Sequence, residues 1–317
     1  MSRPLAGYIG YDAEPTTDAA PGIWTLREAE LYQRKAQWPI SLLLDVTPSA
    51  AAAYSLRLLR RAYASDVILA RRSSDNAELG FTATEIADGT LASWAGANDA
   101  FVKTWYDQSG NARNATMTTS ANQPKIVSSG SLVTENGKPA MEFDGTSDSF
   151  DVPDAALPTA SFFCHAVTNL TSKTSAAMII GRVYNFGAFY VSVNANNAAT
   201  NASKLRAAVG NYTASTEAPA FSSLNANGGQ KLLVAAYDET NVSSAVNGDA
   251  FNSAAFASAI DYHPNDDSKI GAYQRASPLT AVGFFQGKMQ EIVLWHSDKA
   301  SSRGVIESDV NGHYSIF

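Results

Sequence analysis

GFFQGKMQEIVLWH, residues 283–296, is the stretch on which the fold turns. Ile292 and Leu294 alternate with Val293 and Trp295, the period of two that marks an extended chain. A glycine-led entry and a run of β-branched and aromatic residues complete the signature of a strand.

Working outward, the same pattern recurs through residues 128–317. Short runs rich in β-branched and aromatic residues, such as PAMEFDG (139–145), SFFCHAVTNL (161–170), AAMIIGRV (176–183), AFYVSVNA (188–195) and QKLLVAAYDE (230–239), alternate with turn clusters. Asp144-Gly145, Gly228-Gly229 and Asn247-Gly248 are the turn signals, and Asn247-Gly248 suits a tight hairpin that needs positive φ. Many short strands at this spacing predict a mainly β, two-sheet sandwich with a few short helices. The tail, SDKASSRGVIESDVNGHYSIF (297–317), reads as a short helix followed by a closing strand.

Residues 41–127 read as a mixed entry to that sandwich. TPSAAAAYSLRLLRRAYA (47–64) is rich in helix formers, with Tyr54, Leu58 and Ala62 on one face and Arg57, Arg60 and Arg61 mostly elsewhere, and predicts a helix. A strand at VILARRS (67–73), a short helix near DGTLASWAG (88–96) and a strand at FVKTWYD (101–107) follow. Residues 1–40 form a Pro-punctuated arm and a helix ended by Pro39, with Trp24, Leu31, Tyr32 and Trp38 as its large apolar side chains. One such helix cannot bury itself, so these four are the expected anchors to another surface.

Composition narrows the function. Charged residues make up 17% and the net charge is −7, which argues against non-specific nucleic-acid binding. No apolar run reaches membrane-spanning length, and the start lacks the apolar core of a signal peptide. The single cysteine, Cys164, cannot form an intrachain disulfide, and strand alternation points it away from His165.

Three pieces in order carry a resemblance: PAMEFDGTSDSFDVP (139–153), LLVAAYDETNVSSAVNGDAF (232–251) and KIGAYQRASPLTAVGFFQGKMQEIVLWH (269–296). Together they resemble the concanavalin A-like, or laminin G-like, jelly roll. AYSLRLLRRAYASDVILARRSSDN (53–76), WYDQSGNARNAT (105–116) and ANQPKIV (121–127) are similar to the start of the catalytic domain of fungal-type α-L-arabinofuranosidases. GIWTLREAELYQRKAQWP (22–39) resembles a segment of tail and other structural proteins of tailed bacteriophages.

These resemblances imply a virion protein, a head decoration, spike or tail fibre subunit, displaying a lectin-like domain. Its expected partners are other virion proteins, further copies of itself (a trimer is one form) and host surface glycans. Retaining glycosidases need two carboxylates about 5 Å apart. The arabinofuranosidase pattern places them near Ala195 and Arg275, where this chain has none, so the expectation is a protein that is not an enzyme. Asp107, Asp144, Asp148 and Asp151 are the other carboxylates considered. A glycoside hydrolase acting on arabinose-containing or capsular polysaccharide is the alternative.

Sugar binding calls for aromatic faces beside planar hydrogen-bonding groups. Tyr106, Asp107, Gln108 and Asn111 fit, as do Tyr273, Gln274 and Arg275. No cofactor is expected. Asp261, Asn265, Asp266 and Asp267 form a weak Ca²⁺ candidate, with a solvated turn as the plainer reading.

Overall fold

The computed structural model describes Arg27 and residues 42–171, 175–184, 187–194, 200–264, 266–276 and 279–317. The expected anchors Trp24, Leu31, Tyr32 and Trp38 lie outside the described residues, as does Asn265. Residues 43–317 form one compact unit. It is mainly β, as its sequence predicts.

Apart from the two-residue strands Ser131–Leu132, Thr134–Glu135 and Lys138–Pro139, its strands in chain order are β1 (Ala52–Ser55), β2 (Ile68–Arg72), β3 (Glu78–Phe81), β4 (Ala100–Trp105), β5 (Ala115–Thr116), β6 (Lys125–Ser128), β7 (Met141–Asp144), β8 (Phe150–Asp151), β9 (Phe162–Leu170) and β10 (Ala177–Tyr184). There follow β11 (Gly187–Val193), β12 (Lys204–Asn211), β13 (Thr216–Asn225), β14 (Lys231–Tyr237), β15 (Asn241–Val246), β16 (Asn252–Ala255), β17 (Lys269–Ile270), β18 (Tyr273–Ala276), β19 (Leu279–Val282) and β20 (Gln286–Trp295). The helices are α1 (Leu43–Val46), α2 (Ala83–Ala87), α3 (Thr90–Ala95) and α4 (Arg303–Tyr314).

Within the stretch 283–296, β20 is the centre of one layer. Along one edge β20 pairs with β9, and along the other with β1 and β7 in succession. β9 continues to β14, β15 and β16. The second layer runs β13, β12, β11, β10, β17, β8, β5, β4, β2, β3, all antiparallel. β6 joins the layers, pairing with β7 of the first and β4 of the second.

Alternation sorts the side chains as the sequence implies. Ile292 and Leu294 enter the cluster between the layers with Trp105, Phe143, Phe162 and Phe189. Val293 and Trp295 enter a second cluster on the outer side, under α4, with Phe163, Val234, Ile306 and Val310. Cys164 belongs to the first cluster, whereas His165 bonds Glu291 on the outer side, so the two do face apart. Asn247 and Gly248 have φ of 53° and 76°, and Asp249 N–H closes the turn on Val246 O.

Two predicted elements are corrected. The helix expected over 47–64 is instead β1 and an irregular connection, because Ala52–Ser55 gains a full ladder against Glu291–Leu294 and is buried at all four positions. Arg57 and Arg60 are not a solvated helix face: Arg57 bonds Glu291 and Asp309, and Arg60 bonds Ser109 O. The closing strand is absent, since α4 ends on Ser315 in the left-handed region and Asn311 Oδ1 accepts from the amides of Ile316 and Phe317. β13, whose run contains Pro219, escaped the sequence reading altogether.

Candidate functional site

A cleft of about 480 Å³ opens where β4, β6 and β7 meet the start of β20. Met141 and Phe143 of β7 point into the core, so Glu142 and Asp144 project outward from the same face. Both line the cleft with Asp148, Lys125, Phe101 and Gln286. The cleft floor is held tightly: Gln123 Nε2 donates to Met117 O at 2.8 Å, and its Oε1 accepts from Arg71 Nε at 2.8 Å.

The chain turns sharply after β7. Asp144 Oδ1 accepts from the amides of Thr146, Ser147 and Asp148, and Oδ2 from the Thr146 and Ser147 hydroxyls. The loop returns Asp148 Oδ2 to the Asp144 amide at 2.9 Å, leaving Oδ1 without a protein hydrogen bond among the described residues. The two aspartates therefore sit side by side with opposite acidities. Burial, helped by the charge of Asp144, pushes the Asp148 carboxyl up to about 7. Burial acts upward on Asp144 too, but its hydrogen bonds override it and hold that carboxyl well below the usual range. Glu142 has no ion pair among the described residues.

Of the carboxylates singled out in the sequence, Asp144 and Asp148 are brought together here. Asp151 is turned to Lys269, and Asp107 is a buried structural cap. Glu142 escaped notice because an outward residue in an alternating strand looks like ordinary surface.

The two predicted sugar sites lie apart. The first follows β4, in the turn that leads to β5, and the second is on β18. At the first, Asp107 accepts from the amides of Ala53, Ser109 and Arg113 and from the Ser109 hydroxyl. Gln108 accepts from Leu59 N–H and donates to Ser55 O and Arg57 O. Asn111 donates to Ala50 O and Ala51 O. These hydrogen bonds fix a corner around β1, a structural role for Asp107, Gln108 and Asn111, while Tyr106 stays half-buried at the rim.

At the second, β18 pairs with β19 in a hairpin. The Tyr273 ring packs onto Gly283, where a Cβ would approach it to 2.3 Å, and Gln274 Oε1 accepts from the Asp267 amide. The Arg275 side chain and Ala195 lie outside what is described. The nearby face of β11–β13 does carry a carboxylate: Glu217, engaged by Arg206 and by the Tyr190 hydroxyl at 2.6 Å.

The acidic loop at 261–267 is dispersed. Asp261 Oδ2 accepts from the amide and hydroxyl of Thr213, and Asp267 is exposed. Asp266 is buried with neither oxygen hydrogen-bonded, and burial raises its carboxyl to about 7. Among the described residues no group of three or more His, Cys, Asp or Glu is placed to hold a metal ion.

No protein-family model and no curated protein matches the chain. Solved structures do. A crystal structure of an arabinofuranosidase complexed with arabinofuranosyl-α-1,2-xylobiose superposes with a TM-score of 0.58 at 13% identity, over 89% of this chain and 64% of that one. A GH54 α-L-arabinofuranosidase soaked with a cyclic sulfate inhibitor gives 0.54 at 13% identity, with the same shares. The chain thus spans under two thirds of the length of these enzymes, and at this identity what is shared is the fold. These matches overturn the expectation of a protein that is not an enzyme: the sandwich it shares over most of its length is that of glycoside hydrolases.

Proposed function

We propose that the chain is a glycan-active protein of the glycoside hydrolase class, with the Asp148 cleft as its catalytic site. One observation carries the reading: a single cleft brings the largely buried Asp148 carboxyl, with one oxygen left unpartnered and its pKa raised by burial, beside Glu142, which makes no ion pair among the described residues. Glycosidic cleavage needs that combination, an acid to protonate the departing oxygen and an ionised group to act on water or the anomeric carbon. Asp148, through its open Oδ1, is the proton donor, and Glu142, on the same cleft wall, is the second carboxyl of the pair. The fold likeness to arabinofuranosidases supports the class independently of the cleft and makes arabinose-containing polysaccharides the first substrates to try.

Incubation with arabinan, arabinoxylan and bacterial capsule, with released reducing sugar as readout, tests the reading. Asp148→Asn and Glu142→Gln are each expected to lower the rate by about 100-fold or more. No release from any substrate, or release unchanged in Asp148→Asn, overturns it. A place on a virion surface is a separate proposal about location, supported by the motif at 22–39 alone. Particles that still incorporate a chain lacking residues 1–40 would refute docking through that arm.

A further inference from the structure

The last helix, α4, is held to the sheet by side chains. Its Ile306, Val310 and Tyr314 share the outer apolar cluster with Phe163, Val293 and Trp295 of the sheet. No strand ladder includes α4, so it can lift while the sheet stays paired. In its last turn stands His313, edge-on to the Tyr314 ring with centroids 4.6 Å apart. The His313 ring is half-buried and makes no hydrogen bond among the described residues. It faces Arg57, which follows β1, Lys138 of the short strand Lys138–Pro139, and Glu291 of β20. The carboxylates of this seam are already engaged. Arg57 binds Glu291 at 2.8 Å and also takes Asp309 of α4, while Glu291 further accepts from His165 of β9 and from Tyr314. Two carbonyls at the helix end are taken as well, since Asn136 Nδ2 donates to Tyr314 O at 2.7 Å and to Ser315 O at 3.3 Å.

A proton arriving on His313 therefore adds a cation beside Arg57 and Lys138, with no free carboxylate to receive it. We propose that α4 is an acid-operated cover, released from the sheet when His313 is protonated, so that the apolar face beneath it is uncovered as the surroundings become acidic. Burial, with the charges of Arg57 and Lys138, outweighs the pull of Glu291 and brings the docked ring down to about 4. Once α4 lifts, the ring regains its ordinary value of about 6.5 and binds protons more readily than in the docked state. Docking is thus at full strength above about pH 6.5 and weakens as pH falls towards 4, each pH unit in that window multiplying the released population by up to about 10.

Hydrogen exchange of the full chain at pH 7 and pH 4.5, corrected for intrinsic rates, tests this. Protection of the α4 amides is expected to fall by about 10-fold or more at the lower pH, while β9 and β14 keep theirs. In His313→Gln, whose folding at pH 7 is checked by its melting temperature, α4 protection should change by less than about 3-fold over the same range. NMR titration of the His313 ring in the wild type needs no variant and should give a midpoint near 4. Unchanged α4 protection, a loss shared equally by β9 and β14, a loss that persists in His313→Gln, or a ring midpoint at the ordinary value overturns the inference.

Discussion

At the scale of single residues, the pair Asp144 and Asp148 shows how a four-residue turn separates two like groups. Asp144 meets five donors and stays ionised; Asp148 meets one amide, the charge of its neighbour and little water. A pH consequence follows. The folded Asp148 carboxyl, at about 7, stands above its unfolded value of about 3.9, so the folded state holds the proton more tightly. Its contribution to stability is full below about pH 4 and is lost as pH rises through 7. Asp148→Asn keeps the neutral form at every pH. The melting temperature of the variant minus that of the wild type should therefore climb between pH 4 and 7 and level off above. Calorimetric melts across pH 4–9 measure it, and a flat difference would show that Asp148 titrates normally. Both aspartates were legible in the sequence as candidates. Their opposite acidities were not, because these arise from which amides the turn directs at which oxygen.

At the scale of elements, strands buried on alternate sides announced themselves, as at Glu291–Trp295, whereas β1 did not. Ala52–Ser55 carries small residues and a tyrosine amid Ala, Leu and Arg, and local propensity alone favours a helix there. The ladder to β20 decides otherwise, and a partner about 240 residues distant leaves no local mark. The start of β20 depends on Gly287, at φ 142°, where a Cβ would lie 2.1 Å from Asn169 O on β9. Gly287→Ala is expected to cost roughly 1–3 kcal/mol through backbone strain, and to distort the cleft that this residue lines. Gly304→Ala, in α4 with nothing within 4 Å of the new carbon, is the matched control and should leave stability unchanged or raise it by up to about 1 kcal/mol. Urea denaturation of both variants decides the point; similar effects at the two positions would refute the role given to the Gly287 backbone.

Across the whole compact unit, the sandwich is a three-layer object in its first half-thickness: core between the sheets, then the β9–β20 sheet, then a second apolar cluster under α4. A polar knot sits within that second cluster. Glu291, with no exposure, accepts from Ser55 Oγ at 2.8 Å, Arg57 Nε at 2.8 Å, His165 Nε2 at 3.0 Å and Tyr314 OH at 3.2 Å, while Arg57 also reaches Asp309 of α4. Burial alone would raise the Glu291 carboxyl, but the Arg57 charge and the hydrogen bonds from His165 and Arg57 reverse this and hold it well below the usual range. The knot ties β1, β9, β20 and the last helix together, and it gave no sequence signal because its members are scattered from Ser55 to Tyr314. Removing one partner strands the others: Glu291→Ala leaves Arg57 and His165 buried without their shared acceptor and should cost about 3–5 kcal/mol. Replacing both charges, Arg57→Met with Glu291→Leu, removes the unpaired buried charge and should recover part of that loss, His165 and Tyr314 still lacking their acceptor. Equilibrium urea unfolding of Arg57→Met, Glu291→Leu and their combination, with Glu291→Ala beside them, measures the coupling. If the double variant is as unstable as Glu291→Ala, the damage comes from packing volume, and the buried charge pairing is not what fastens α4 to the sheet.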